Sequence, residues 1–311
     1  MKTEMKKIAV IGANGYIARN LIYVLNRDYP EFEINLYGVE KEYIDGEGNY
    51  ISVDLTDKED VKKINLDVDI VFMLVGRTGS ANGFDEFDSF ININERTLLN
   101  LLTEYRCQGS KARIIYPSTR LVYKGKTGPQ KEDAEKEFKT VYAMNKFACE
   151  QYLEQFHRVY DVQYTILRVC IPYGTLIPEA SSYGTAEFML TKATKGENIS
   201  LYGDGSVRRT LTYMEDACIS MIEAALSEKC ANDVFNIGGE DYSLKEMATL
   251  IARKYGVGVD FVPWPDVALK IESGDTVFDS GKLDRAIGNN IKHRFIDWIN
   301  YNPEEYFYEY K

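Results

Sequence analysis

Tyr142 and Lys146 stand four residues apart near the start of a helical segment predicted over 138–158. That spacing puts a phenol and an ammonium on one helix face, about one turn apart. A phenol of ordinary pKa, about 10, is a poor base at neutral pH, and a neighbouring cation favours its ionised form. Ser118 and Thr119 lie in the stretch PSTRLVY, directly after an apolar strand predicted at 112–116. In an open α/β sheet, ligands bind beyond the carboxyl ends of the strands, so these hydroxyls are placed to meet one. Gly12, Gly15 and Ala18 follow a G-x-x-G-x-x-A spacing in IGANGYIA. Glycines there allow a tight turn and close backbone approach to a pyrophosphate, which the helix N-terminus then receives. Each motif alone is weak; with 23 tyrosines in the chain, a Tyr–Lys pair at this spacing is most often an ordinary helix face. In this order, on an α/β chain, they point together to proton transfer beside a bound dinucleotide.

The positioning elements are read from hydrophobic periodicity. Strands are expected at 7–11, 33–37, 50–53 (weak), 69–75 and 112–116, with helices at 16–27, from 56–64 and near 86–106. Asp69–Val75 is a continuous apolar run, as a strand buried on both faces requires. Strands alternating with helices imply parallel pairing through right-handed crossovers, hence a doubly wound sheet. Six or seven strands are expected, with the order reversing beside Gly12. After a strand at 162–169 the alternation loosens: helices at 184–195 and 214–227, strands at 199–202 and 209–213, then a strand–helix pair at 233–255. This divides the chain into a nucleotide-binding domain, 1–174, and a smaller substrate-binding lobe, 175–311, with part of the sheet returned to from about 209–240.

A dinucleotide site usually places an acidic residue at the end of the second strand, for the ribose hydroxyls. Here that end reads Tyr37-Gly38-Val39-Glu40-Lys41. Gly38 falls where the acid is expected; Glu40 can reach round, or Lys41 can meet a 2′-phosphate. NAD and NADP both stay open at this point.

Composition excludes other classes. The chain has 311 residues, 45% hydrophobic and 27% charged, with a net charge of −11. A chain this acidic has nothing to drive counterion release from a nucleic acid. Five scattered cysteines, without C-x-x-C, read as reduced cytosolic thiols, and the two histidines have no metal-ligand spacing. A cytoplasmic protein without metal, membrane span or nucleic-acid partner is expected.

The order of these motifs resembles the extended short-chain dehydrogenase/reductase family, the nucleotide-sugar epimerases and dehydratases, over roughly residues 7–290. IGANGYIA resembles that family's glycine fingerprint, Asp54-Leu55 its adenine-side pair, Asn94 an asparagine of its fourth helix, and Thr119 with Val122-Tyr123 its catalytic Ser/Thr stretch. Tyr142 and Lys146 match its Y-x-x-x-K, LYGDGSVRRTLTYMEDA (201–217) its most specific signature, and VFNIGG and Gly274-Asp275 later ones. The resemblance implies a Rossmann-type fold with Thr119, Tyr142 and Lys146 catalytic. It implies cofactor contacts from Gly12, Asn14, Gly15, Tyr16, Ile17, Asp54, Leu55, Tyr142 and Lys146, with Glu40 or Lys41 at the ribose. Substrate contacts are implied for Thr78, Ser118, Thr119, Tyr173 and Arg209, the last on the phosphates of a nucleotide-sugar. Tyr142 would exchange the proton of a sugar hydroxyl that Thr119 orients, and Lys146 would hold the ribose and lower the Tyr142 pKa.

The departures matter too. Dehydratases of this family carry acids just after the Thr, where this chain has Arg120 and Leu121; an N-x-x-G is replaced by Ile171-Pro172-Tyr173-Gly174; an arginine before Gly274-Asp275 is replaced by Glu272-Ser273; and Gly76-Arg77-Thr78 stands where Ala-Ala is commoner. Without the acids, 4,6-dehydration is disfavoured, and two usual phosphate contacts are missing. The expected function is a nucleotide-sugar 4-epimerase using bound NAD. A 4-keto-sugar-nucleotide reductase, for which NADP would suit, is the alternative, and a non-catalytic nucleotide sensor the third reading. A homodimer is expected through helices near 90–106 and 142–157, the second carrying Met144, Phe147, Ala148, Tyr152 and Phe156.

Overall fold

The structure is a computed structural model and describes residues 5–46, 48–177, 180 and 184–301. In chain order the first elements are β1 (Lys7–Ile11), α1 (Tyr16–Asp28), β2 (Glu33–Gly38), β3 (Asn49–Ser52), α2 (Lys58–Val61), β4 (Ile70–Met73), α3 (Phe87–Ile91), α4 (Thr97–Cys107), β5 (Arg113–Thr119), β6 (Pro129–Gln130), α5 (Val141–Tyr160) and β7 (Gln163–Val169). There follow β8 (Ile171–Tyr173), α6 (Thr185–Thr194), β9 (Ile199–Tyr202), β10 (Arg208–Tyr213), α7 (Met214–Leu226), β11 (Asp233–Asn236), β12 (Glu240–Ser243), α8 (Leu244–Tyr255), β13 (Val259–Val262), α9 (Asp266–Ile271), β14 (Val277–Phe278), α10 (Gly281–Ile287) and α11 (Phe295–Asn300).

Seven strands form one sheet in the order β11-β7-β5-β4-β1-β2-β3, all pairs parallel. The chain runs outward from β1 through β2 and β3, then crosses to β4 on the other side, so the order reverses beside β1 and Gly12. This is the doubly wound architecture the alternation predicts. Residues of β1 alternate between two cores: Ile8 and Val10 pack with α1 and α7, while Ala9 and Ile11 pack with α4 and α5. Burial on both faces is why these strands read as unbroken apolar runs.

The second lobe departs from expectation in one respect. β10 does not extend the main sheet; it pairs antiparallel with β12 and parallel with β8 in a separate three-stranded sheet. The main sheet is re-entered only at β11, whose residues Asp233–Asn236 pair with Thr165–Arg168. The helix expected near 86–106 is also subdivided, with a five-residue π turn, Asn92–Arg96, between α3 and α4. α5 begins at Val141 because the Thr140 side chain caps it, accepting from the Ala143 N–H at 3.0 Å.

A buried ion pair fixes α5 against the sheet. Glu150 of α5 accepts from Arg168 of β7 through both oxygens, at 3.0 and 2.5 Å, and also from the Ser118 hydroxyl of β5. Arg168 further donates to the Tyr123 hydroxyl (2.7 Å) and the Glu132 carbonyl (2.9 Å), and Tyr123 donates to Asn236 (2.7 Å). Both charged side chains are almost fully excluded from solvent. Removing one partner leaves the other buried and unpaired, so Glu150→Ala should cost about 3–5 kcal/mol of unfolding free energy. The double variant Glu150→Leu/Arg168→Met should recover most of that loss. Urea unfolding of both reads the effect, and a Glu150→Ala protein of wild-type stability would contradict it.

Candidate active site

The turn after β1 is built for a close backbone approach. Gly12 has φ +86°, and a Cβ there would lie 3.0 Å from the Val75 nitrogen and 3.1 Å from the Leu74 carbonyl carbon. The Gly12 and Ala13 N–H groups both donate to the Tyr37 carbonyl, at 2.7 and 3.0 Å, locking the turn between β1 and β2. Gly15 is the N-cap of α1 and is exposed, and its carbonyl accepts from the Arg19 N–H at 2.9 Å. The first turn of α1, with Tyr16 and Ile17 half-buried, therefore presents its N-terminus at the sheet's carboxyl edge. Such an edge fits the pyrophosphate of a dinucleotide. Asn14 faces sideways: its amide donates to the Glu42 carbonyl (2.9 Å) and Glu40 Oε2 (3.3 Å), and its oxygen accepts from the Ile44 N–H (3.2 Å).

Glu40 does reach round. Its Oε2 lies 3.1 Å from where a side chain on Gly38 would begin, so its carboxylate covers the end of β2. Lys41 is exposed on the following loop. Asp54 and Leu55 follow β3, with Leu55 buried and its carbonyl accepting from Asn100 at 2.8 Å, while Asp54 remains exposed and accepts from Thr56.

Thr119 ends β5 and Tyr142 lies in the first turn of α5, which sets the Thr119 hydroxyl beside the Tyr142 phenol. Burial pushes the Tyr142 phenol up to about 12, while the Thr119 hydrogen bond and the Arg120 charge act in the opposite direction. Lys146, one turn on, is buried, and its ammonium lies 4.1 Å from the centre of the Tyr116 ring. Burial lowers its pKa to about 8, against the pull of Cys149 and Glu150. The cation acting on Tyr142 here is thus Arg120, which in the sequence stands out only as a departure from the family pattern. Asn94, within the π turn, brackets the loop after β4 by accepting from the Arg77 N–H (2.8 Å) and donating to its carbonyl (3.1 Å). Thr78 stands exposed in that loop.

Three expected substrate contacts are placed elsewhere. The Ser118 hydroxyl is committed to Glu150 in the interior. Tyr173 is fully buried among Tyr213, Phe295 and Trp298, which are 5.5, 5.1 and 5.1 Å from its ring centre. Arg209 is only 2% exposed, and its terminal nitrogens are used by Glu272 (2.5 Å), the Gly274 carbonyl (2.5 Å) and the Arg208 carbonyl (2.9 Å). Glu272, standing where the family carries an arginine, supplies the opposite charge that draws Arg209 inward. A small cleft next along the chain from Thr119 is lined by Ser80, Arg120, Tyr202, Trp264, Glu272 and Ser273, with Thr119, Tyr142 and Lys146 outside its lining. A larger groove of about 440 Å³ lies against α8, lined by Tyr242, Lys245 and Arg294, and contains none of the residues above. Among the described residues no group of His, Cys, Asp and Glu is arranged to hold a metal, and no helix is long and apolar enough to cross a membrane.

This arrangement can hold a dinucleotide along the glycine turn and move one proton at Tyr142. Comparison with known proteins agrees. The UDP-N-acetyl-alpha-D-glucosaminuronate decarboxylase of Bacillus cytotoxicus is 28% identical over 255 residues, covering 78% of each chain. The CDP-paratose 2-epimerase of Salmonella typhi is 25% identical over 293 residues, covering 82% of this chain and 85% of the relative. The UDP-glucose 4-epimerase of Thermus thermophilus, solved in complex with NAD, superposes with a TM-score of 0.82 at 22% identity, over 96% of this chain and 98% of that one. The family model described as the NAD dependent epimerase/dehydratase family matches residues 8–238. The chain therefore belongs to the NAD dependent epimerase/dehydratase family, within the extended short-chain dehydrogenase/reductases.

Proposed function

We propose that the protein is a nucleotide-sugar 4-epimerase, acting by transient oxidation of the sugar 4-hydroxyl with a retained NAD. The observation that carries this reading is the placement of Thr119, at the end of β5, beside the Tyr142 phenol, with Arg120 acting on that phenol and no carboxylate at positions 120 and 121. Such a site can take and return one proton but lacks an acid–base pair for eliminating water. A dinucleotide held along the turn of Gly12 and Gly15 and the N-terminus of α1 would supply reversible hydride exchange with the sugar carbon. The chain handles the proton: Tyr142 takes it from the hydroxyl, Thr119 holds the same oxygen, and Tyr142 gives the proton back.

The electrostatic demand on Tyr142 is large. Bringing a phenol from about 12 to neutrality requires about 7 kcal/mol, at ~1.4 kcal/mol for each tenfold change in ionisation. That starting value already includes the lowering by Arg120, so the whole of this demand falls on charges that arrive with the cofactor or move toward it. Lys146, one turn from Tyr142 on the same helix face, and a bound positive cofactor ring would have to supply it. Tyr142→Phe should therefore lower kcat by at least about 10²-fold while retaining cofactor affinity. The assay follows interconversion of C4 epimers across UDP-, dTDP-, CDP- and GDP-hexoses. Oxidation of one NADH per turnover, or full activity in Tyr142→Phe, would reject the reading.

The Glu40 carboxylate at the end of β2 supports NAD over NADP, because a 2′-phosphate there would meet a negative charge. NADH should bind at least tenfold more tightly than NADPH in a fluorescence titration, and Glu40→Gln should narrow the gap. Tighter NADPH binding by the wild type would count against it. A homodimer is supported by an exposed apolar face: Phe84, Phe87, Ile91 and Met144 are 51, 50, 40 and 57% exposed, and α3 packs beside α5. Sedimentation should show a dimer at micromolar concentration, and Met144→Glu should shift it toward monomer; a wild-type monomer would refute the interface.

A further inference from the structure

The free positive charge of the cleft sits on a different arginine from the one the sequence motif indicates. Arg209 is sealed by Glu272 and two backbone carbonyls. Arg120 lines the cleft, and its guanidinium donates to two neutral hydroxyls, Ser273 Oγ at 3.0 Å and Thr276 Oγ1 at 3.4 Å. The nearest carboxylate, Glu272, is already held by Arg209. Two guanidinium groups thus share one carboxylate, leaving one net positive charge beside the reacting pair.

We propose that Arg120, rather than Arg209, receives the linking diphosphate of the substrate, an inference that rests on the nucleotide-sugar reading above. Arg120 follows Thr119 directly in the chain and shares its cleft with the aromatic pair Tyr202–Trp264, whose ring centres are 5.2 Å apart. A flat base against that pair would set the phosphates attached to it toward Arg120, which lines the same cleft beside the chain position of Thr119. A guanidinium has five donors in a planar fork, of which the neutral hydroxyls occupy few, and the rest match phosphate oxygens. Burial and the Arg209 charge hold the Arg120 pKa down to about 10, which leaves it cationic at neutral pH and relieved by an incoming anion. The exchange is reciprocal in charge: an arginine stands where dehydratases carry an acid, and Glu272 stands where the family carries an arginine. The cation is moved across the cleft, from the β14 side to the end of β5.

The test is calorimetric titration of the NAD-loaded protein with UDP, dTDP, CDP and GDP, and with the nucleoside of whichever binds. Arg120→Gln should weaken the diphosphate at least tenfold and leave the nucleoside within about twofold, with Arg120→Lys recovering part of the loss. Unchanged diphosphate affinity in Arg120→Gln, with wild-type NAD binding, would overturn the assignment alone. Equal loss for diphosphate and nucleoside would also overturn it, since that reports a collapsed cleft. Wild-type protein that binds NAD and none of the four diphosphates would overturn the nucleotide-sugar reading, and the role of Arg120 with it.

Discussion

The buried pair of Glu150 and Arg168 is the constraint on which the geometry of the site depends. Tyr142, Lys146 and Glu150 recur every four residues along α5, so they share one face of that helix. Holding Glu150 against β7 and β5 therefore also sets the rotation and height of the other two. A charge pair is suited to this task because its geometry is specific, whereas apolar contacts along the same face tolerate sliding. The cost of burying two charges is offset by satisfying them fully: both Glu150 oxygens and several Arg168 donors have partners. The same network reaches Tyr123 and Asn236, which ties the segment after β5 to β11, the strand by which the chain re-enters the sheet.

Electrostatics in the cleft follow from a second pairing of opposite sign. Glu272 and Arg209 are 63 residues apart and meet because β10 runs beside the segment leading into β14, with Arg209 bridged to Thr276. Glu272 also acts on Arg120, but its hydrogen bonds go to Arg209 and the Gly274 N–H, while Arg120 donates to neutral hydroxyls. The phenol of Tyr142 responds to that cation, and Lys146 is left over the Tyr116 ring in a pocket where burial holds its pKa near 8.

Elements of the fold were legible wherever a local period existed. Unbroken apolar runs marked β1, β4 and β5, and helical spacing marked α1, because those segments bury surfaces whose pattern is written in consecutive residues. The separate sheet of β8, β10 and β12 was not legible, since its three- to six-residue strands pair across long stretches of chain. At the site, Thr119, Tyr142, Lys146 and the glycine turn were found by motif spacing, and the structure brings Thr119 and Tyr142 together. Ser118 and Thr119 show the limit of such reading. Adjacent hydroxyls on one strand end looked equivalent, yet Ser118 meets Glu150 in the interior and Thr119 faces Tyr142. The partners of Arg209 were not legible for a related reason: a motif specifies residue type and strand, while the direction a guanidinium takes depends on a carboxylate far away in sequence.

Gly174 ties the helix after the glycine turn to α6 through its backbone. Its carbonyl accepts from the Tyr16 hydroxyl of the glycine-turn helix, and its N–H donates to Glu187 of α6 at 2.9 Å. Its φ is +74°, and a Cβ there would approach the Tyr213 ring to 2.4 Å, so the position requires glycine on two counts. Burial pushes the Glu187 carboxyl up to about 7, while the Gly174 N–H favours its ionised form. Gly174 thus joins the first turn of α1 to the first turn of α6 through two hydrogen bonds of its own backbone. The sequence Tyr173-Gly174, which lacks the family's asparagine three residues earlier, keeps the one feature this linkage demands: a residue with no side chain between the aromatic core and the turn.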